Sequence, residues 1–88
     1  MKKYRFTRQF EKQYKKLGTK KQDAVDRALM MYLEEPFAAK LRRHELKAEY
    51  KGQVSISAGG DLRIHLIEDD DVIIVVVCVG THSQLYGS

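Results

Sequence analysis

Apolar positions recur at helical spacing in the first part of the chain. Residues 3–6 are predicted to form a short strand, and Thr7 is placed to cap the helix that follows. Phe10, Tyr14 and Leu17 lie at i, i+4 and i+7, which is the spacing of one face of an α-helix. The N-terminal segment is therefore predicted to fold as a strand followed by an amphipathic helix.

A second amphipathic helix is predicted between Gly18 and Pro36. Gly18 ends the first helix, and Thr19 with Gln22 three residues later has the spacing of a capping box. The helix is expected to end before Pro36, because a proline disfavours helical geometry in the residue that precedes it. Its apolar face consists of Val25, Ala28, Leu29 and Tyr32. The two helices are expected to form a hairpin.

Beyond residue 36 the period of the pattern changes to two, as expected for β-strands. Apolar and polar side chains alternate in 54–58 and in 62–67, and the turn GGD at 59–61 joins these segments. The acidic sequence EDDD at 68–71 is predicted to be the next turn. Every residue of 72–79 is apolar, which predicts a strand covered on both faces in the interior of the sheet.

These elements follow the order β-α-α-β-β-β. The sequence therefore predicts one α+β domain over residues 1–88, with the N-terminal strand and the helical hairpin on one face of a small, mostly antiparallel sheet. The first strand is expected to pair at an edge of the sheet, beside a later strand. A chain of 88 residues buries a small core, so a partner that covers more of its surface would stabilise it.

The net charge of +4 is distributed unevenly. Residues 1–20 contain eight basic side chains and one acidic side chain, residues 40–51 contain five basic and two acidic ones, and acidic residues cluster at 68–71. Such asymmetry favours a polyanion or an acidic protein as a partner. From charge alone, a merely solvated surface of lysine-rich helices is the alternative interpretation.

Neither an export signal nor a membrane segment is expected. The N-terminal residues have no apolar stretch after their basic ones, and the apolar run at 72–79 is too short to cross a bilayer. The single cysteine, Cys78, lies within that run and is predicted to be a buried apolar residue rather than a reactive thiol. These features predict a cytoplasmic protein.

Three histidines, His44, His65 and His82, are the side chains best suited to proton transfer near neutral pH. They lack metal-ligand spacing, and the carboxylates of 68–71 are expected to form a solvated turn, so neither a metal nor another cofactor is predicted. His65 alternates with core positions and is expected to pack within the sheet. The imidazoles, Asp61 and the many cations permit metal-free cleavage of RNA, although composition alone does not establish it.

Three segments together resemble the RelE/ParE toxin superfamily, and most closely its YafQ-like branch. They are FTRQFEKQYKKL, RRHELKAEYKG and SISAGGDLRIHLIEDDDVIIVVVCVGTHSQLYG, which span nearly the whole chain. The resemblance implies a RelE-like fold. It also implies the toxin of a type II toxin-antitoxin system, a ribosome-dependent endoribonuclease that cuts mRNA in the A site and is silenced by an antitoxin.

The same resemblance implies four catalytic residues. His44 and His82 match histidines of the family and would transfer protons. Asp61 would orient an imidazole or the ribose, and Tyr86 would stack on a base or help to place the phosphate.

A second implied group would contact the RNA backbone, namely Lys47, Lys51, Ser57 and Arg63. Ser57 is a departure, because YafQ-like enzymes carry a further histidine at this position. A serine hydroxyl donates a hydrogen bond but neither carries charge nor shuttles protons at pH 7. Either the role of that histidine has moved to Arg63 or His65, or the activity is weakened, and an engineered attenuating substitution is a third alternative.

The implied partners are an acidic antitoxin, in a hetero-oligomer with this chain, and the ribosome with its mRNA. Two other functions stay open from the sequence: a ParE-like inhibitor that binds DNA gyrase, and a basic RNA-binding module without chemistry. His44, Asp61 and His82 favour the nuclease, because a binding inhibitor has no use for proton-transfer groups.

Overall fold

The computed structural model describes residues 2–86, and at position 86 the backbone alone. In chain order the elements are β1 (Lys3–Phe6), α1 (Arg8–Lys15), α2 (Thr19–Glu34), β2 (His44–Glu45), β3 (Val54–Ser57), β4 (Leu62–Glu68), β5 (Ile73–Thr81) and α3 (His82–Tyr86). Short 3₁₀ turns at Ala39–Leu41 and Ala48–Tyr50 flank β2. The strands form one sheet in the order β1-β5-β4-β3-β2, antiparallel except for the β1–β5 pair. The predicted α+β class with a mostly antiparallel sheet is confirmed.

The core lies between the helices and one face of the sheet. Alternate strand residues such as Ile56, Ile64 and Ile74 are fully buried, and Val25 of α2 packs in the same cluster. Burying each such side chain contributes about 1.5–3 kcal/mol. A slip of one residue in any strand would exchange the buried and exposed sets, so this face fixes the register of the sheet.

Thr7 connects β1 to α1 and fixes both to β5. Its hydroxyl accepts a hydrogen bond from the N–H of Phe10 at 3.0 Å, which confirms the predicted N-cap, and donates to the carbonyl of Val77 at 2.6 Å. Its own N–H donates to the carbonyl of Val76 at 3.1 Å. β1 is the edge strand beside β5, as expected, and the two strands are parallel.

The predicted capping box of the second helix is wrong. The N-cap is Gly18, without a side-chain hydrogen bond, and Thr19 is already the first helical residue. The Gln22 amide instead donates to the carbonyl of Tyr14 at 2.9 Å, which supplies a partner near the C-terminal end of α1. This bond ties the two helices of the hairpin together.

The strand boundaries near the acidic turn differ from the prediction. Glu68 is the last residue of β4, where its carboxylate pairs with Lys2 at 2.6 Å and Arg43 at 3.4 Å. The Lys2 hydrogen bond is the main cause of a lowered pKa at Glu68. The turn therefore begins after Glu68 and not, as was predicted, at that residue. The Asp70 carboxylate closes the turn by accepting hydrogen bonds from the N–H groups of Val72 and Ile73.

The prediction that β5 is covered on both faces is wrong in part. β5 is an interior strand, and its face toward the helices is fully covered. On the opposite face, Ile73, Val75 and Val77 are only half-buried, and the strand is covered only near its end, at Cys78 and Gly80. The β3–β4 turn does follow the prediction, since Gly59 and Gly60 take φ values of 107° and 54°, which favour glycine.

Candidate active site

Polar side chains line up in rows across the face of the sheet opposite the helices. The register pairs His44 with Ser55, Ser55 with His65, and His65 with Cys78, so the first row contains one residue from each of β2 to β5. We call this the histidine row. Residues that are distant in sequence thus become neighbours about 5 Å apart, which is the spacing between adjacent strands.

The arginine row lies two residues further along the strands and consists of Ser57, Arg63 and Gly80. Arg63 Nη1 donates to the carbonyls of Gly60 at 2.9 Å and Leu62 at 3.1 Å, and to Ser57 Oγ at 3.3 Å. These bonds fix the guanidinium beside the β3–β4 turn. Of the two residues suggested to take over the role of the missing histidine, Arg63 is the one whose side chain contacts Ser57.

Asp61 and His82 lie next to each other at one end of the sheet, just before β4 and just after β5. The N–H of His82 donates to the carbonyl of Asp61 at 3.2 Å, one step beyond the last strand pair, Leu62 with Thr81. Both residues are exposed. Of the implied catalytic residues, these two are joined by a backbone hydrogen bond.

A capping box positions His82 at the start of α3. The Gln84 side chain accepts from the N–H of Thr81 at 2.9 Å, and the N–H of Gln84 donates to the Thr81 hydroxyl at 3.2 Å. The signal for this helix is the sequence THSQ, which has Ser/Thr-x-x-Gln spacing; the predicted element order contains no helix after the last strand. The implied role of Tyr86 concerns a side chain that lies outside the described part of the molecule.

His44 has a defined tautomer in its neutral form. Its Nδ1 lies 3.1 Å from the backbone carbonyl of Arg42. A carbonyl only accepts, so Nδ1 carries the hydrogen and the lone pair of the neutral ring is on Nε2. His44 is exposed on the edge strand β2, with Nε2 as its proton acceptor.

His44 and His82 stand at opposite corners of this face. Three strand spacings and four residues along the strands separate them, so their Cα atoms are roughly 20 Å apart in a flat sheet. Ser57 and Arg63 occupy the middle of the diagonal between them. The two histidines are thus separated by a hydroxyl and a fixed guanidinium.

Tyr50 is a structural residue of the site that sequence reasoning missed. Its ring meets the ring of His65 edge-on, with centroids 5.7 Å apart, and its hydroxyl donates to the carbonyl of Leu85 at 3.0 Å. The loop between β2 and β3 is thereby attached to both β4 and α3. Lys47 and Lys51 are exposed on this loop, at the rim of the polar face.

His65 and Cys78 form the buried end of the histidine row. Burial, followed by the nearby His44, lowers the pKa of His65, and burial raises the pKa of the Cys78 thiol to about 11. The thiol is protonated at neutral pH, as expected for the predicted apolar role of Cys78. His65 packs within the sheet, as expected from its alternation with core residues.

The lowered pKa of His65 predicts a stability that falls in acid. The unfolded chain takes up a proton at His65 near pH 6.5, whereas the folded chain does so only at lower pH, so the unfolded state binds more protons in this window. The free energy of unfolding should therefore decrease as the pH falls below about 6.5. Urea unfolding at a series of pH values measures this decrease.

The control for this prediction is Ser83→Ala, which changes an exposed side chain without a titrating group and should leave the acid-dependent decrease in place. His65→Gln removes the titrating group and should flatten the pH profile, whatever its effect on absolute stability. An equally steep decrease in His65→Gln would contradict the assignment.

Residues 2–86 contain neither a cluster of metal-binding side chains nor a membrane-spanning helix. No group of three or more His, Cys, Asp or Glu residues is placed to hold a metal ion in this part of the chain. No helix described here is long and apolar enough to cross a membrane.

The fold of this chain is similar to that of known bacterial toxins, and a family model identifies the class of protein. A helical hairpin on one face of this sheet is shared with the YoeB/ParE toxin from Agrobacterium tumefaciens, at a TM-score of 0.77 and 16% identity, over 93% of this chain and 99% of that one. Residues 2–87 match the model of a family described as the bacterial toxin of type II toxin-antitoxin systems, YafQ. The chain belongs to this YafQ toxin family.

Solved structures of the family have the same fold. YafQ from E. coli strain BL21(DE3) matches with a TM-score of 0.82 and 20% identity, over 99% of this chain and 100% of that one. The match to the E. coli DinJ-YafQ complex has a TM-score of 0.75 and 21% identity, and it covers 99% of this chain and 100% of that one. No curated protein sequence matches this chain.

Proposed function

We propose that this toxin is an endoribonuclease that cleaves mRNA in the ribosomal A site without a metal ion and so stops translation in the cytoplasm. The observation that supports the proposal is the diagonal across the polar face, where Ser57 and Arg63 lie between His44 and the pair Asp61 and His82. An in-line reaction at phosphorus needs a base and an acid on opposite sides of the phosphate and positive charge beside it.

The proposed reaction begins at the ribose 2′-hydroxyl. One imidazole accepts its proton, the 2′-oxygen bonds to phosphorus, and the bond to the 5′-oxygen breaks as the other imidazole donates a proton to that oxygen. His44, whose Nε2 holds the lone pair of the neutral ring, is suited to the role of base, and His82 beside Asp61 to that of acid. The Arg63 guanidinium stabilises the charge that develops on the phosphate.

Ser57 is proposed to assist binding and not proton transfer. Its hydroxyl accepts from Arg63 and from the N–H of Gly59 at 3.2 Å, and it remains able to donate to a phosphate oxygen. In the family resemblance a histidine stands here, so this chain relies on Arg63 for the charge at this position.

The remaining RNA contacts are proposed at the rim. Lys47 and Lys51 are exposed cations on the loop that Tyr50 attaches to the site, where they would meet neighbouring phosphates. Tyr86 is proposed from the sequence alone to stack on an unpaired base, which is worth about 1–3 kcal/mol per base.

We also propose an acidic antitoxin as the partner, in a hetero-oligomer with this chain. Membership of a toxin-antitoxin family supports such a partner, and the related E. coli YafQ occurs in a complex with DinJ. The basic surface of residues 2–20 supports an acidic binding protein, since opposite charges favour association.

Labelled mRNA incubated with the toxin, with and without ribosomes, tests the proposed nuclease. The expected result is cleavage at codons in the A site that requires the ribosome. Intact mRNA, together with inhibition of DNA supercoiling by gyrase, would replace the proposal with a ParE-like function. Intact mRNA that is nevertheless bound would indicate a binding module without chemistry.

A further inference from the structure

We propose that Arg42 and Lys40 form a second phosphate-binding site at the edge of β3, next to Ser57, through which the RNA strand leaves the cleavage site. The identity of the ligand as RNA depends on the proposed function. The site itself is inferred from the edge geometry, the unpaired charges and the backbone conformation of Arg42.

The edge geometry places Arg42 beside Ser57. β2 pairs with the first half of β3 only, through His44 with Ser55 and Glu45 with Val54. Continuing this antiparallel register by two residues sets Arg42 opposite Ser57, in line with the arginine row. Ser57 accepts a hydrogen bond from Arg63 and lines the same edge cavity as Arg42.

A shallow cavity of about 480 Å³ lies at this edge. Its lining residues are Ala39, Lys40, Arg42, Ser57, Gly59 and Gly60. The described lining contains two cations and no acidic residue. Such a cavity suits an anion, and the planar guanidinium of Arg42 matches the paired oxygens of a phosphate.

The charges of Lys40 and Arg42 are available to a ligand. Within residues 2–86 the ion pairs are those of Lys2 and Arg43 with Glu68, so neither Lys40 nor Arg42 is neutralised by a carboxylate. Both side chains are exposed. RNA is favoured over an acidic peptide because two residues of the lining, Ser57 and Gly60, accept hydrogen bonds from Arg63, the charge proposed for the reacting phosphate.

The charge of Arg42 is available to a ligand, whereas that of its neighbour Arg43 is already engaged within the fold. Arg43 donates to the Tyr32 hydroxyl at 3.3 Å, pairs with Glu68, and lies 4.7 Å from the centroid of the Phe37 ring. These contacts anchor the segment to the core and to β4. Arg43 thus holds the chain in place, while Arg42 projects its charge from the anchored backbone.

The backbone at Arg42 is in the left-handed region, with φ 48° and ψ 42°. Its N–H closes the 3₁₀ turn by donating to the carbonyl of Ala39 at 3.2 Å. This conformation favours glycine, and a residue with a side chain is strained there. A strained position that nonetheless holds an exposed cation is typical of a binding site.

The test is the binding of a 2′-O-methyl oligoribonucleotide, measured by fluorescence anisotropy over a series of salt concentrations. Each phosphate contact that is lost should reduce the slope of log K against log salt by about 0.7. Arg42→Ala is expected to show this reduction, and Arg42→Lys to retain most of the slope. Arg8→Ala is the matched control, because it removes an exposed arginine from α1, in the opposite layer of the fold.

Equal reductions in Arg42→Ala and Arg8→Ala would overturn the proposal, since net charge alone would then explain both. Arg42→Gly separates binding from folding: a lower slope with an unchanged or higher melting temperature supports the site. A lower melting temperature with an unchanged slope would make Arg42 structural and overturn it. Loss of antitoxin binding without a change in the RNA slope would also contradict the RNA assignment.

This experiment is independent of the cleavage reaction. The probe lacks the 2′-hydroxyl that attacks phosphorus, so it is bound but not cleaved. The effect of Arg42→Ala on the salt slope can therefore be measured even if the protein does not cleave mRNA. Failure of the proposed nuclease would appear in the ribosome assay with the wild-type chain, and failure of the second site would appear only in the salt slope.

Discussion

Replacing His82 with glutamine is expected to lower the single-turnover rate of mRNA cleavage on the ribosome by about 10²–10⁴-fold, the usual contribution of a positioned general acid or base. Glutamine retains much of the shape and one donor of histidine but does not deliver a proton at neutral pH. The exposed position of His82 predicts little change in the free energy of unfolding. The measurement is the cleavage rate with saturating toxin and ribosome-bound, end-labelled mRNA.

Ser83→Ala is the matched control for this variant, because Ser83 is exposed on the same short helix and has no proposed role. It should cleave at the wild-type rate. Wild-type cleavage by His82→Gln would contradict the role proposed for His82 and would leave the proton to another group. Asp61→Asn is informative beside it, since loss of an orienting charge should lower the rate less than loss of the imidazole.

Arg63→Ala is expected to lower the same rate by about 10²–10³-fold, the effect of removing one preorganised donor to a developing negative charge. The guanidinium is fixed by the carbonyls of Gly60 and Leu62 and by the Ser57 hydroxyl, so it requires little rearrangement during the reaction. Ser57→Ala removes one of these bonds and should have a smaller effect. Single-turnover cleavage by the three proteins gives the comparison.

Arg63 also stabilises the β3–β4 turn through its hydrogen bonds to the carbonyls of Gly60 and Leu62. An effect of its removal on stability must therefore be separated from an effect on the cleavage rate. Arg63→Lys restores the charge without the planar geometry and should recover part of the rate. Thermal unfolding of each variant reports the contribution to stability. Cleavage by Arg63→Ala at the wild-type rate would show that another cation serves the phosphate.

Much of the fold follows from periodicity in the sequence. The pattern at Phe10, Tyr14 and Leu17 predicts α1, and the alternation on either side of Gly59 predicts β3 and β4. The two-residue strand β2 was not predicted, because such a short pairing has no periodicity of its own. The start of α2 was misplaced, because Gln22 bonds across the hairpin rather than to its own helix end.

The sequence predicts which residues belong to the candidate site but not how they are arranged in space. The family resemblance supplied His44, Asp61 and His82, whereas their relative positions depend on strand register and on the order of the sheet. Arg42 and Tyr50 had no signal in the sequence. Their roles arise from a left-handed backbone and from a ring contact across the fold, which no local pattern specifies.

The parallel pairing of β1 with β5 has a consequence for the order of folding during synthesis. The bond from Thr7 to Val77 joins residues 70 positions apart, so β1 is made long before the strand with which it pairs. Contacts at such a separation form slowly, because the intervening chain must first be brought together. The helical hairpin can therefore form before β1 joins the sheet, and β5 is the element that brings the first strand and α3 into one fold.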